Sequence, residues 1–203
     1  MKPFILCIGR QYGSGGREVG ERVAEALRVP CYDKLLLQRT AHDSGLSESL
    51  LARCEERPAY FSAMLSGNSL ADTADMSNLF YSESQMVYNA EAAEIRRLAR
   101  QGSCVIVGRC ASAILEDYSG VRSVFLYADA AERVRRIMDR NHLDEAAARR
   151  RMHKIDHMRK SRFNFYSDTH WGLPESYDLM LSSSRCGIEG CVQIITDSLK
   201  HFS

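Results

Sequence analysis

The chain has no long hydrophobic run. Its apolar stretches stop well short of the roughly 18 residues that a membrane span requires. The N-terminal stretch, Phe4 to Ile8, ends at Gly9-Arg10 and is too short for a secretory leader. There is no C-x-x-C spacing. The seven cysteines are odd in number, and most sit in apolar runs such as Phe4-Ile-Leu-Cys-Ile8 and Cys104-Val-Ile-Val107. That pattern excludes a disulfide framework and reads as buried free thiols. Net charge is almost absent as well: 27 Lys+Arg against 26 Asp+Glu leave +1, which argues against a coat for nucleic acid or anionic membrane. No internal repeat is present. A soluble, cytoplasmic protein is expected.

What is there is an ordinary globular composition. The 203 residues, 45% apolar and 26% charged, suit one domain, or one domain with mobile appendages, and exclude disordered and fibrous classes. The charge is unevenly placed. Between Arg133 and Arg162, eleven Lys/Arg face four Asp/Glu, so that segment carries +7 and the remainder −6.

The pattern along the chain alternates. Residues 4–8 form a continuous apolar run ending in glycine, as buried parallel strands do. Residues 18–27 come next, with helical spacing and acids in the first turn. Further strands are predicted at 29–33, 104–107, 123–127 and 177–181. Helices are predicted at 34–41, 47–57, 83–100, 131–140, 145–162 and 188–201, with Asp129 and Asp144 as caps. Residues 62–84, rich in Ser, Asn, Asp and Met, lack sustained periodicity and read as a mobile excursion. Phe163, Phe165, Tyr166 and Trp171 read as an aromatic loop. Such alternation predicts an α/β fold with a parallel sheet covered on both faces. Ligands of such sheets bind beyond the C-terminal strand ends. The candidate loops are therefore 9–17, 32–34, 108–110 and the turn at Asp129.

The first of these, Gly9-Arg-Gln-Tyr-Gly-Ser-Gly-Gly-Arg17, joins a strand to a helix with four glycines in eight residues. Backbone N–H groups converge on phosphate in that setting, and glycines permit the close approach. The regular pattern G-x-x-x-x-G-K-[ST] is not satisfied. Gly15-Gly16-Arg17 stands in place of Gly-Lys-Ser/Thr, so Arg17 is the candidate cation and Ser14 the only aliphatic hydroxyl in the glycine-rich stretch, a candidate for magnesium brought in with ATP.

This loop, Tyr32-Asp33-Lys34, Gly108-Arg109, the basic helix and Trp171-Gly-x-Pro-x-x-Tyr177-Asp-Leu179 together resemble the cytidylate-kinase-like family, over essentially the whole chain. The resemblance implies a P-loop three-layer sandwich around a five-stranded parallel sheet. It also implies a mobile acceptor-binding arm, about residues 34–84, and a helical lid, about 141–172. The implied activity is Mg²⁺-dependent transfer of the ATP γ-phosphoryl group to a nucleoside monophosphate, CMP or dCMP first. Carried over by position, Gly13, Ser14, Gly15, Gly16, Arg17 and Glu18 hold the donor. Asp33, Arg39 and Arg109 match the family's acceptor site, where Lys34 and Cys110 also fall, and Asp156 and Arg159 match its lid pair; Arg17, from the loop, and Arg162, on one face with Arg159, join them in serving the transfer. Phosphoryl transfer needs such residues, because it rests on positioning and on neutralising charge spread over equatorial oxygens.

The chain departs from the family at Cys110, which replaces an aspartate, and at Lys34-Leu-Leu, which replaces a small hydroxyl and glycine. These departures keep open a kinase of another small metabolite, and the altered glycine loop keeps open a nucleotide-binding regulatory protein without turnover. Neither nucleic acid nor membrane is an expected partner, and the oligomeric state is not encoded legibly. His153 and His157 are four apart on the basic helix, but Lys154 stands where a zincin carries glutamate and the surrounding arginines repel a cation.

Overall fold

A computed structural model describes residues 3–33, 45–47, 49–50 and 71–201. The chain divides into two compact units, Met1–Asp33 with Leu98–Ser203, and Lys34–Arg97. The helix expected at 34–41, most of that at 47–57, and residues 62–70 lie outside the described residues, as do Lys34 and Arg39.

The larger unit is built on a five-stranded sheet. In chain order it contains β1 (Ile5–Arg10), α1 (Gly16–Leu27) and β2 (Cys31–Tyr32). After α2 (Ala71–Gln101), which begins in the other unit, come β3 (Cys104–Val107), the short α3 (Ala111–Ile114) and β4 (Val121–Tyr127). The chain then forms α4 (Ala130–Asn141), α5 (Glu145–Tyr166), β5 (Leu179–Ser182) and α6 (Ser183–Ser198). The strand order is β2-β3-β1-β4-β5, and every neighbouring pair is parallel. The central strand β1 pairs Ile5 with Cys104 on one side and with Val121 on the other.

Strands of this kind need apolar side chains on both faces, which the continuous runs supply. On one face Leu6, Ile8, Val105, Val107, Val124, Leu126 and Leu181 form a core with Val19 and Val23 of α1 and Cys191 and Ile195 of α6. Residues of opposite parity, Ile5, Cys7, Cys104, Ile106 and Phe125, are equally buried. A smaller cluster, Val134 and Ile137 of α4 with Ala148 and Met152 of α5, packs against Tyr12 of the glycine loop and so ties the basic helices to it. All six described cysteines are free; Cys7, Cys104, Cys110 and Cys191 are buried, Cys31 and Cys186 half-buried. No helix among the described residues is long and apolar enough to cross a membrane.

Several boundaries differ from expectation, each for a local reason. Residues 71–84 are helical and continue into the helix expected from residue 83. Alanine, leucine, methionine and glutamate there sustain a helix without an amphipathic stripe, and extending an existing helix costs little. The helix α5 runs on to Tyr166, so Phe163, Phe165 and Tyr166 sit in its last turns and only Trp171 lies in a loop. No glycine or proline interrupts that stretch before Gly172. Asp144 caps α5, its carboxylate accepting the Ala147 N–H at 2.7 Å. Asp129 occupies the N-cap of α4 without a side-chain cap bond. The last helix begins at Ser183, earlier than residue 188, and is broken at Gly187, whose φ is 67°.

Candidate functional site

The glycine loop leaves β1 and enters α1 at Gly16. Two torsions in it require glycine: Gly13 and Gly15 have φ of 80° and 79°. A Cβ at Gly13 would lie 2.8 Å from the Arg133 carbonyl oxygen, and one at Gly15 2.5 Å from Ile188 Cδ1. The loop's carbonyls are held from outside. Arg133 Nε donates to Tyr12 O at 2.7 Å, Arg136 Nη1 to Gly13 O at 3.4 Å, and Ser183 Oγ to Ser14 O at 2.6 Å. The first amides of α1 have no carbonyl one turn back, and a helix start of this kind, with its dipole, favours an anion.

Asp156 of α5 fastens this arrangement. Its Oδ1 accepts the Tyr12 N–H at 2.7 Å, and its Oδ2 pairs with the buried guanidinium of Arg133. Two further contacts bind α5 to the loop: Arg159 Nη1 donates to Arg10 O at 3.1 Å, and Arg151 Nε donates to the Tyr12 hydroxyl at 3.1 Å. The Arg159 guanidinium also lies 5.6 Å from the Tyr12 ring centre.

A cavity of about 720 Å³ opens over the loop, within the range of small-molecule sites. Six arginines line it, Arg10, Arg17, Arg136, Arg140, Arg151 and Arg159, against three carboxylates, Glu18, Glu21 and Asp33. The acids are partly engaged. Arg17 Nε sits 2.9 Å from Glu21 and 3.2 Å from Asp33, and Arg10 Nη2 sits 3.6 Å from Asp33. The Glu21 hydrogen bond, with the Glu21 and Asp33 charges, holds the Arg17 guanidinium above its usual pKa against the opposing effect of burial. Burial pushes the neighbouring Cys31 thiol up to about 11.

A second cavity, of about 70 Å³, lies beyond the ends of β1 and β3. Arg10 and Arg159 line it as well, so the two cavities share a wall. Arg109, Cys110, Arg162, Trp171 and Tyr177 also contribute. The backbone there is unusual: Gly108, Arg109 and Cys110 have φ of 83°, 60° and 53°, three left-handed residues in succession. Such torsions in non-glycine residues cost of order 1–3 kcal/mol each and cluster at functional sites. The aromatic wall is packed, with Phe125 4.8 Å from Tyr177 and 5.0 Å from Trp171 between ring centres. Burial pushes the Tyr177 hydroxyl up, opposed in part by the nearby Gly172 backbone. No described residue reaches that hydroxyl with hydrogen-bond geometry.

Of the residues expected from sequence, Gly13, Gly15, Gly16, Arg17, Glu18, Asp33 and Arg159 meet in the larger cavity, and Arg109, Cys110, Arg159 and Arg162 in the smaller. Asp156 lies behind the loop rather than in either wall. Ser14 is fully buried and lines neither cavity; its hydroxyl donates to Gln11 O at 2.8 Å. Sequence reasoning missed Arg10, Arg133 and Arg136. The signal for Arg10 was its place inside the glycine motif, and for the other two the +7 segment, but neither shows which arginines turn inward.

A glycine loop between strand and helix at the carboxyl end of a parallel sheet, under a roof of arginines, defines a P-loop kinase fold. The chain matches the cytidylate kinase-like family over residues 5–185 and belongs to it. Among solved structures it is similar to an uncharacterized protein from Eubacterium ventriosum, at 28% identity over 98% of this chain and 99% of that one, with a TM-score of 0.74. It shares its fold with shikimate kinase from Acinetobacter baumannii, solved with shikimate (15% identity, 99% and 94% coverage, TM-score 0.55). A gluconokinase from Sinorhizobium meliloti is similar in the same way (16%, 98% and 93%, TM-score 0.52). No curated protein matches the chain.

Proposed function

We propose that the protein transfers the γ-phosphoryl group of Mg-ATP to a small anionic acceptor, a nucleoside monophosphate with CMP or dCMP first, as a single kinase domain of the cytoplasm. The observation that carries this reading is the shared wall: a cavity of nucleotide size on the phosphate loop meets a smaller one at the sheet end, and Arg10 and Arg159 belong to both. Transfer between two bound molecules needs that adjacency, with cations at the seam where the migrating group carries charge.

Gly13, Gly15, Gly16, Arg17 and Glu18 form the donor side, with Ser14 supporting the loop from behind. Arg109 and Arg162 face the acceptor's phosphate, Cys110 and Trp171 wall its remainder, and Arg159 neutralises the group in transit. Asp33, at the end of β2, belongs to the acceptor side. Asp156 positions the loop through Tyr12 and Arg133. The segment 141–172 acts as the lid, and closing it excludes water. Magnesium enters as the ATP complex: Ser14 is buried, and Asp33 is already shared by two guanidinium groups, so the protein offers the ion few ligands of its own.

A different small acceptor is the second reading. Cys110 in place of an aspartate and the 70 Å³ of the inner cavity favour it. ADP formation from ATP, measured against a panel of nucleoside monophosphates and hydroxyl-bearing acids, separates the two. Turnover dependent on CMP or dCMP supports the first reading, and turnover only with a non-nucleotide supports the second. ATP binding without turnover on any acceptor would favour a regulatory protein and overturn both.

A further inference from the structure

Gly16 stands where the regular phosphate loop carries its lysine, the residue that reaches the β- and γ-phosphates. Its backbone does not ask for glycine: Gly16 opens α1 and has no positive φ. A neighbour forbids the side chain. A Cβ at Gly16 would come 2.6 Å from Arg10 Cβ and 3.2 Å from Arg10 Cγ, so the stem of Arg10 fills the space a residue-16 side chain would need. The other end of Arg10 is cleared in the same way. A Cβ at Gly108 would collide with Arg10 Nη1 and lie 2.9 Å from its Cζ. Two glycines from different loops thus make room for one arginine along its whole length. The guanidinium emerges at the wall shared by the two cavities, 3.6 Å from Asp33.

We infer that Arg10 is the loop's phosphate cation, moved from the start of the helix to the end of the strand, with Gly16 and Gly108 as the positions that accommodate it. The inference rests on the reading of the larger cavity as a triphosphate site. A guanidinium at that seam presents a planar fork to oxygens of two adjacent phosphates, which an ammonium on a flexible stem does not. It also lies between donor and acceptor, where the charge of the migrating group is greatest.

The test measures Mg-ATP affinity by calorimetry for the whole chain and four variants. Arg10→Met keeps the stem and removes the charge; at least a tenfold loss of affinity is expected. Lys200→Met, which removes an exposed cation paired with Asp197 on the far helix, is expected to bind as wild type does. Gly16→Lys alone is expected to bind poorly because two stems contest one space. Arg10→Gly combined with Gly16→Lys restores the regular arrangement and is expected to regain affinity to within threefold of wild type. Thermal melting confirms that each variant folds. Should the double variant fail to fold, Arg10→Lys replaces it and is expected to retain more affinity than Arg10→Met. An Arg10→Met protein that binds ATP as wild type does would overturn the role of Arg10 while leaving the triphosphate site intact. A folded wild type that binds no ATP would overturn the site itself, and this inference with it.

Discussion

The pair of Arg133 and Asp156 carries a prediction that rests on burial alone. The Arg133 side chain is 7% exposed and that of Asp156 18%, and between them they hold both the N–H and the carbonyl of Tyr12. Breaking a buried ion pair by removing one partner costs about 3–5 kcal/mol, because the other charge stays buried without compensation. The partial exposure of Asp156 lets water relieve some of that, so about 2–3 kcal/mol is expected for Asp156→Ala and a similar amount for Arg133→Met. Neither variant can lose the pair twice. The double variant is therefore expected to be no less stable than the worse single, a coupling of about 2 kcal/mol. Urea unfolding of the four proteins at pH 7 reads this directly. ATP affinity is expected to fall in both singles, because the loop loses its outer anchor. Single variants within about 0.5 kcal/mol of wild type, or a double variant at the sum of the singles, would refute the clamp.

Other expectations are more local. Burial raises the Cys7 thiol far above its unfolded value of 9.0, so its contribution to stability is complete below pH 9 and is lost as pH rises and the unfolded chain ionises first. Between pH 9 and 10.5 this amounts to about 2 kcal/mol, and unfolding curves of Cys7→Ala should show a correspondingly shallower decline. A Cβ at Gly20 would sit 2.7 Å from Val107 Cγ2 and 3.2 Å from Ile8 Cδ1, where α1 crosses the sheet. Gly20→Ala should therefore destabilise by about 1–3 kcal/mol despite its better helix propensity, as read by the urea midpoint. Arg109→Gly removes a side chain from a left-handed residue. It should raise the melting temperature, worth up to about 1 kcal/mol, while weakening binding of the acceptor.

The sheet was legible because its strands are uninterrupted apolar runs ending at glycine or at polar turns, and Ile5, Val105 and Leu126 leave little alternative to burial. The phosphate loop was legible from four glycines placed after the first strand. Other features were not. Residues 71–84 carry no apolar stripe, so their helix depends on propensity and on continuity with the helical residues beyond 84, which periodicity does not report. The aromatic residues at the end of α5 suggested a loop by composition, although nothing there breaks a helix. The roles of Arg10, Gly16 and Gly108 depend on close approach between residues from two loops far apart in sequence, which only the folded chain displays. The missing lysine was visible as an absence, with Arg17 the candidate cation next to it in sequence. In the fold both guanidinium groups approach Asp33; Arg17, held also by Glu21, lines the larger cavity, and Arg10 lines both.

The two cavities that share Arg10 and Arg159 should hold a phosphoryl donor and an acceptor at once. Incubation of the protein with CMP and ATP labelled in its γ-phosphate reads this out. Label is expected in CDP, formed only with the protein present and lost in Arg10→Met. Label released solely as inorganic phosphate, or retained in ATP across every acceptor offered, would contradict it.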